Sequence, residues 1–365
     1  MSISLPIDYA TLKPSFRNNK SAHIEYSKCA LYVHLEKFSV RFLYDASLMK
    51  TFFALLIMLC TSQFLRAEPA TLRTSSGVLY GTLELPRCKT GKNPVALLIA
   101  GSGATDRNGN TLSLGGANNS LQYLAESLAS RGIASLRFDK RGIGQSAKAI
   151  ANESTLRFGT YVDDAVLWAK QLRRDKRFST LTIVGHSEGS LIALIAARKI
   201  RADACISVAG IGRPASQVLL QQLKSQLSPE LFAQAQAIVG SLEKGKTVET
   251  TPLELQTLFR PSVQPYLVSW FALDASQEIK KLTIPVLIAQ GTTDIQVNVT
   301  DAKLLKAAQP KAQLLVINGM NHVLKSVPND RAAQIASYTD ATLPVANELV
   351  DGIARFIRSV KSTRK

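Results

Sequence analysis

The chain predicts an α/β fold in which a mostly parallel sheet is wound with helices. Three observations predict it. From residue 77 onward, short apolar runs rich in β-formers alternate with longer stretches of helical spacing. The short runs are apolar almost without a break, which suits strands buried on both faces. The 365 residues are 46% hydrophobic, enough for a sizeable core.

The first element is a leader. Met49-Lys50 precedes the apolar run Thr51 to Leu59, and polar residues follow as far as Arg66-Ala67-Glu68. A positive start, an apolar stretch of about ten residues and a small residue before a cut have the layout of a signal peptide. A membrane span needs about 20 apolar residues, so no stable span is expected after processing. Signal peptides begin at the start codon. Residues 1–48, which hold no glycine and no sustained period, are therefore expected to be an extension from an upstream start. Residues 49–67 are then the signal peptide and residues 68–365 an exported domain, periplasmic or secreted, although Leu65 is a bulky residue so close to the cut.

Gly77 to Leu85 alternates as an antiparallel edge pair does. Val95 to Ala100, Ala134 to Phe138, Leu181 to Val184, Cys205 to Ala209, Pro285 to Ala289 and Gln313 to Ile317 have the pattern of buried parallel strands. Between them, Ser120 to Ser130, Tyr161 to Leu172, Ser190 to Lys199 and Ala302 to Ala308 carry helical spacing, and Val345 to Val360 supplies a closing amphipathic helix. About 70 residues separate the strand near Gly210 from the strand near Ile284, too many for a plain connection. Its helical segments Gln217 to Gln226 and Leu231 to Leu242, with the aromatic run Arg260 to Phe271, predict a helical cap inserted at residues 211–284.

Composition narrows the partners. The formal net charge is +17, but the cations are spread along the chain with no aromatic-interleaved basic block, so nucleic acid is not an expected partner. The local run Arg173, Arg174, Lys176 and Arg177 suits a solvated helix C-terminus. After the expected cut, Cys88 and Cys205 remain. Two thiols define no disulfide framework, and Cys205 falls in an apolar run that suits a buried strand.

The chemistry is carried by Gly185-His186-Ser187-Glu188-Gly189, set between the strand Leu181 to Val184 and the helical stretch from Ser190. A sharp strand-to-helix turn exposes a strained serine, its flanking glycines admit neighbouring backbone, and the helix N-terminus favours negative charge. A serine hydroxyl needs a base, and the base needs an orienting acid. Of the four histidines, His23 and His34 lie in the leader, and His186 is expected to point away from Ser187 into the packing around its strand. His322, after the last core strand, is the base. Asp294, after the strand Pro285 to Ala289, is the acid. Asp301 competes with it but opens the next helix and suits an N-cap. Two backbone amides should face the developing oxyanion: that of Glu188, and one from the loop Gly101 to Asn110, assigned to Ser102. That loop lacks the Gly-Lys-Ser/Thr ending of a phosphate cradle.

These pieces together resemble the α/β-hydrolase superfamily, and within it the serine-aminopeptidase and lysophospholipase-like branch, over about residues 75–362. They are Gly101-Ser-Gly with Thr105 to Asn110, Asp139 to Ser146, the elbow, Gly291 to Asp294, and Asn321-His322. The resemblance implies an eight-stranded, mostly parallel sheet and hydrolysis of small-molecule acyl esters or amides without a cofactor or metal. Ala100 departs from it, since many relatives carry His there, and Asp139 and Arg141 are expected to brace their loop by charge pairing. Ester hydrolysis through an acyl-enzyme is the expected reaction. An aminopeptidase-like activity, with Glu188 holding a substrate amine, an acyltransferase, and a non-catalytic binding protein on the same scaffold are the alternatives. The sequence leaves oligomeric state open.

Overall fold

The computed structural model describes residues 66–86 and 91–362. The expected upstream extension, nearly all of the expected signal peptide and Cys88 lie outside the described residues. Eight strands form one sheet: β1 (Arg66–Thr74), β2 (Gly77–Leu85), β3 (Asn93–Ile99), β4 (Ala134–Phe138), β5 (Phe178–His186), β6 (Ala204–Val208), β7 (Val286–Gly291) and β8 (Gln313–Ile317). Their order is β1-β2-β4-β3-β5-β6-β7-β8. The β1–β2 and β2–β4 pairs are antiparallel and the rest are parallel.

Helices fill the connections. α1 (Ser120–Ser130) leads from β3 to β4, α2 (Phe158–Arg174) from β4 to β5, and α3 (Glu188–Ile200) from β5 to β6. The long interval before β7 holds α4 (Ala215–Lys224), α5 (Pro229–Glu243), α6 (Gln256–Phe259), α7 (Gln264–Phe271) and α8 (Ala275–Lys280). α9 (Val299–Ala308) joins β7 to β8, and α10 (Arg331–Ala336) and α11 (Asn347–Ser359) follow. None of the described helices is long and apolar enough to cross a membrane.

The two-residue period of a strand sorts the core into two layers. Val95, Leu97 and Ile99 of β3 pack with Trp168 of α2 and Ile192 of α3 on one face. Ala96 and Leu98 pack with Leu124 and Leu128 of α1 and Ile353 and Phe356 of α11 on the other. Burial on both faces explains the unbroken apolar runs.

The expected antiparallel edge pair is formed by β1 and β2, with β1 outermost and paired along its whole length. The other edge departs from the sequence expectation. β8 is the opposite edge and is only partly buried, with Val316 38% exposed. An edge strand has a neighbour on one side only, and composition does not reveal which apolar run that is.

Cys205 is a free thiol within β6, and burial pushes its pKa up to about 12. The basic run sits at the end of α2. Arg177 pairs with Asp175 and Glu68, and Arg173 donates to the carbonyl of Arg201 at the end of α3.

Candidate active site

Ser187 stands between the end of β5 and the start of α3, with φ 55° and ψ −120°. A side-chain-bearing residue rarely adopts that conformation, and the surroundings enforce it. A Cβ on Gly185 would lie 1.9 Å from the Gly189 carbonyl oxygen, and one on Gly189 would lie 2.4 Å from that of Ile99. Only glycine at both positions lets the turn close and α3 press against β3. The Ser187 amide donates to Val208 O at 2.9 Å, tying the turn to β6.

His322 and Asp294 arrive on the loops after β8 and β7. His322 Nε2 lies 3.1 Å from Ser187 Oγ, and His322 Nδ1 lies 2.8 Å from Asp294 Oδ2. With Nδ1–H donating to Asp294, Nε2 accepts from the serine hydroxyl, the arrangement that base catalysis requires. Asp294 is held in turn: Oδ1 accepts from the Gln296 and Val297 amides, and Oδ2 from Gln290 Nε2. The two loops touch closely, since a Cβ on Gly291 would lie 1.9 Å from Met320 O. Asn321 is buried and closes the histidine loop, its carboxamide oxygen accepting from the Lys325 amide and its nitrogen donating to Ser337 Oγ. Lys325, also buried, lies with its Nζ 4.6 Å from the centre of the Tyr123 ring.

The loop after β3 passes directly over the serine, a Cβ on Gly101 falling 3.2 Å from Ser187 Cβ. Ser102 and Glu188 line one cleft with Ser187, Ile211, Leu219 and Trp270. Asp106 accepts the Asn108 and Asn110 amides within the loop, and Arg107 pairs with Asp139 at 2.6 Å. Arg141 makes a bidentate pair with Asp164 of α2 instead. Asp139 and Arg141 therefore brace two different elements.

His186 carries a role that its place in the motif does not announce. Its Nε2–H donates to the His322 carbonyl at 2.8 Å, so it supports the backbone of the residue that faces Ser187. Burial, with the nearby His322, lowers its pKa to about 3. An unfolded histidine titrates near 6.5. Between about pH 6.5 and 3 the unfolded state binds the extra proton, so stability is complete above that window and is lost as pH falls through it. His186→Gln should flatten the acid limb of the stability curve, measured by urea unfolding at stepped pH. An unchanged slope would discount the buried imidazole.

Asp301 is a correction. Asn298 caps α9, its side chain accepting from the Thr300 amide. Asp301 is fully buried and binds Arg213 and the Gly212 amide, pinning the start of the β6–β7 interval. Sequence spacing could not name Arg213 as its partner, and it also missed Lys140, whose Nζ meets Glu188 Oε1 at 2.9 Å. Among the described residues, no group of three or more His, Cys, Asp or Glu side chains could hold a metal ion.

Comparison with known proteins agrees with this architecture. Residues 114–326 match the family model of serine aminopeptidase S33, a span that includes Ser187, Asp294 and His322. The chain is 30% identical over 252 residues to the esterase EstD of Thermotoga maritima, an alignment covering 68% of this chain and 58% of that protein. Among solved structures, Est1E of Butyrivibrio proteoclasticus with ferulic acid bound superposes with a TM-score of 0.53 at 17% identity, over 80% of this chain and all of that one. The Pyrococcus furiosus esterase Pf2001 gives 0.53 at 14% identity, over 82% and 92%. The two structural likenesses speak to the fold, and the family match carries the assignment: the chain belongs to the serine aminopeptidase S33 family of α/β hydrolases.

Proposed function

We propose that the protein is a carboxylic ester hydrolase that works through an acyl-enzyme on Ser187. The observation that carries this reading is the continuous hydrogen-bonded chain from Ser187 through His322 to Asp294, mounted on a strained elbow. Ser187 Oγ attacks the acyl carbon as His322 takes its proton. The Ser102 and Glu188 amides meet the oxyanion, and the histidine returns the proton to the leaving alkoxide. Water, activated by the same histidine, then releases the acid.

Esters are favoured over aminoacyl amides because of Glu188. Its side chain is 1% exposed and its carboxylate is bound to Lys140, so it is not free to pair with a substrate amine. The likeness to an esterase supports the same choice. Fluorophosphonate labelling, followed by rates on p-nitrophenyl esters beside aminoacyl amides, tests the proposal. Labelling at Ser187 with ester turnover is expected, and faster amide than ester cleavage would overturn it.

Acyl-chain preference is set at the wall of the cleft beside Ser187, which Ile211, Val218 and Leu219 line. Trp270 forms part of its wall and stacks on Phe158 at 6.0 Å, while Tyr266 meets Tyr161 edge-on at 5.7 Å. Trp270→Ala should raise turnover of hexanoate and octanoate esters relative to acetate. It should also destabilise the fold by about 3–5 kcal/mol, because the ring fastens α7 to α2. Equal losses at every chain length would leave the ring a packing role only.

Export is part of the proposal. A cut after Ala67 would remove the Arg66–Leu85 and Ala67–Glu84 pairs and leave Glu68–Thr74 in β1. Mass spectrometry of the mature N-terminus should find Glu68, and peptides from residues 1–48 in the natural protein would refute the start at Met49.

A further inference from the structure

One buried cation beside the residue after Ser187 has no part in the proton relay. Lys140, just after β4, is 1% exposed. Its Nζ donates to the Gly101 carbonyl at 2.5 Å and to Glu188 Oε1 at 2.9 Å, and lies 4.9 Å from the centre of the Tyr161 ring. Burying an ammonium and a carboxylate is costly, and a pair of apolar side chains serves packing as well or better. What an apolar pair could not do is bind the Gly101 carbonyl.

That carbonyl belongs to the same peptide unit as the Ser102 N–H. In a trans peptide the C=O and N–H point in opposite directions. Holding the carbonyl toward Lys140 aims the Ser102 N–H away from it, and Ser102 lines the cleft with Ser187. A cation on the carbonyl oxygen also polarises the amide and strengthens it as a donor. The second bond of the ammonium holds the side chain of Glu188, the first residue of α3, whose own amide is the other donor. A single charge thus ties the Gly101–Ser102 peptide to the side chain of Glu188, across elements that are far apart in sequence.

We propose that Lys140 is a positioning residue of the oxyanion hole, fixing the Gly101–Ser102 peptide and the Glu188 end of α3 against each other. The proposal rests on the ester-hydrolase reading above. It is tested on the full chain with Lys140→Met and with Lys140→Met/Glu188→Gln, the latter sparing the fold an unpaired buried carboxylate. Loss of one direct donor lowers kcat by about 10²–10³, so loss of its support should lower kcat by roughly 10- to 100-fold.

The expected result is a double variant that melts as a folded protein. Its kcat on p-nitrophenyl acetate falls by that factor while KM stays within about threefold, and its affinity for a trifluoromethyl ketone, which mimics the tetrahedral oxyanion, falls in parallel with kcat/KM. A folded double variant with kcat near wild type, or one that loses only KM, would overturn the proposal. Undiminished ketone affinity, or global unfolding of both variants, would also overturn it. A wild-type protein inert to fluorophosphonate and esters would instead overturn the proposed function itself.

Discussion

Ser187→Ala should lower kcat on p-nitrophenyl acetate by about 10⁴- to 10⁶-fold and leave the melting temperature unchanged. The two halves of that expectation have separate causes. The hydroxyl is the nucleophile of the proposed cycle, and no other hydroxyl is held at 3.1 Å from His322 Nε2 among the described contacts. Alanine keeps the Cβ, so the strain of φ 55° is neither relieved nor increased. The glycines at 185 and 189 that shape the turn are untouched. His322→Ala should fall to the same floor, and Ser187→Ala/His322→Ala should fall no further. A nucleophile without its base and a base without its nucleophile are equally idle, while the oxyanion amides and the cleft remain in all three. Multiplying losses in the double variant, or residual turnover near wild type in Ser187→Ala, would show that the two residues do not act as a unit.

Asp294→Asn should cost about 10⁴-fold in kcat, with Asp301→Asn losing less than about tenfold. Asp294 Oδ2 faces His322 Nδ1 at 2.8 Å and fixes the tautomer that leaves Nε2 free to accept. An amide NH₂ turned toward that nitrogen selects the opposite tautomer, with a proton facing Ser187. It also removes the negative charge that steadies the imidazolium as it forms. Asp301 has no such neighbour. Its carboxylate holds Arg213 at 2.9 Å and the Gly212 amide at 3.0 Å, so its neutralisation should appear as lost stability, about 1–3 kcal/mol. Parallel kinetics and urea unfolding of both variants separate the roles. A larger kinetic loss at Asp301 than at Asp294 would mean that the wrong carboxylate orients the histidine.

Sequence alone determined what depends on near neighbours. The elbow is legible because Gly185, Ser187 and Gly189 meet the demands of one tight turn within five residues, between a strand and a helix that each show their own period. The parallel core strands are legible because burial on both faces leaves unbroken apolar runs. Asp294 and His322 followed from strand ends and from the short supply of histidines. Only the tertiary structure placed Gln313 to Ile317 at an edge, since edge and interior positions of parallel strands are set by pairing rather than by composition. It alone paired Asp301 with Arg213, 88 residues away, and His186 with the backbone of His322, 136 residues away. It also set Lys140 against Glu188, 48 residues apart. Those partners are chosen by where the chain returns in space. A buried charge or imidazole must find a partner wherever the fold brings one near, and sequence spacing carries no record of that meeting.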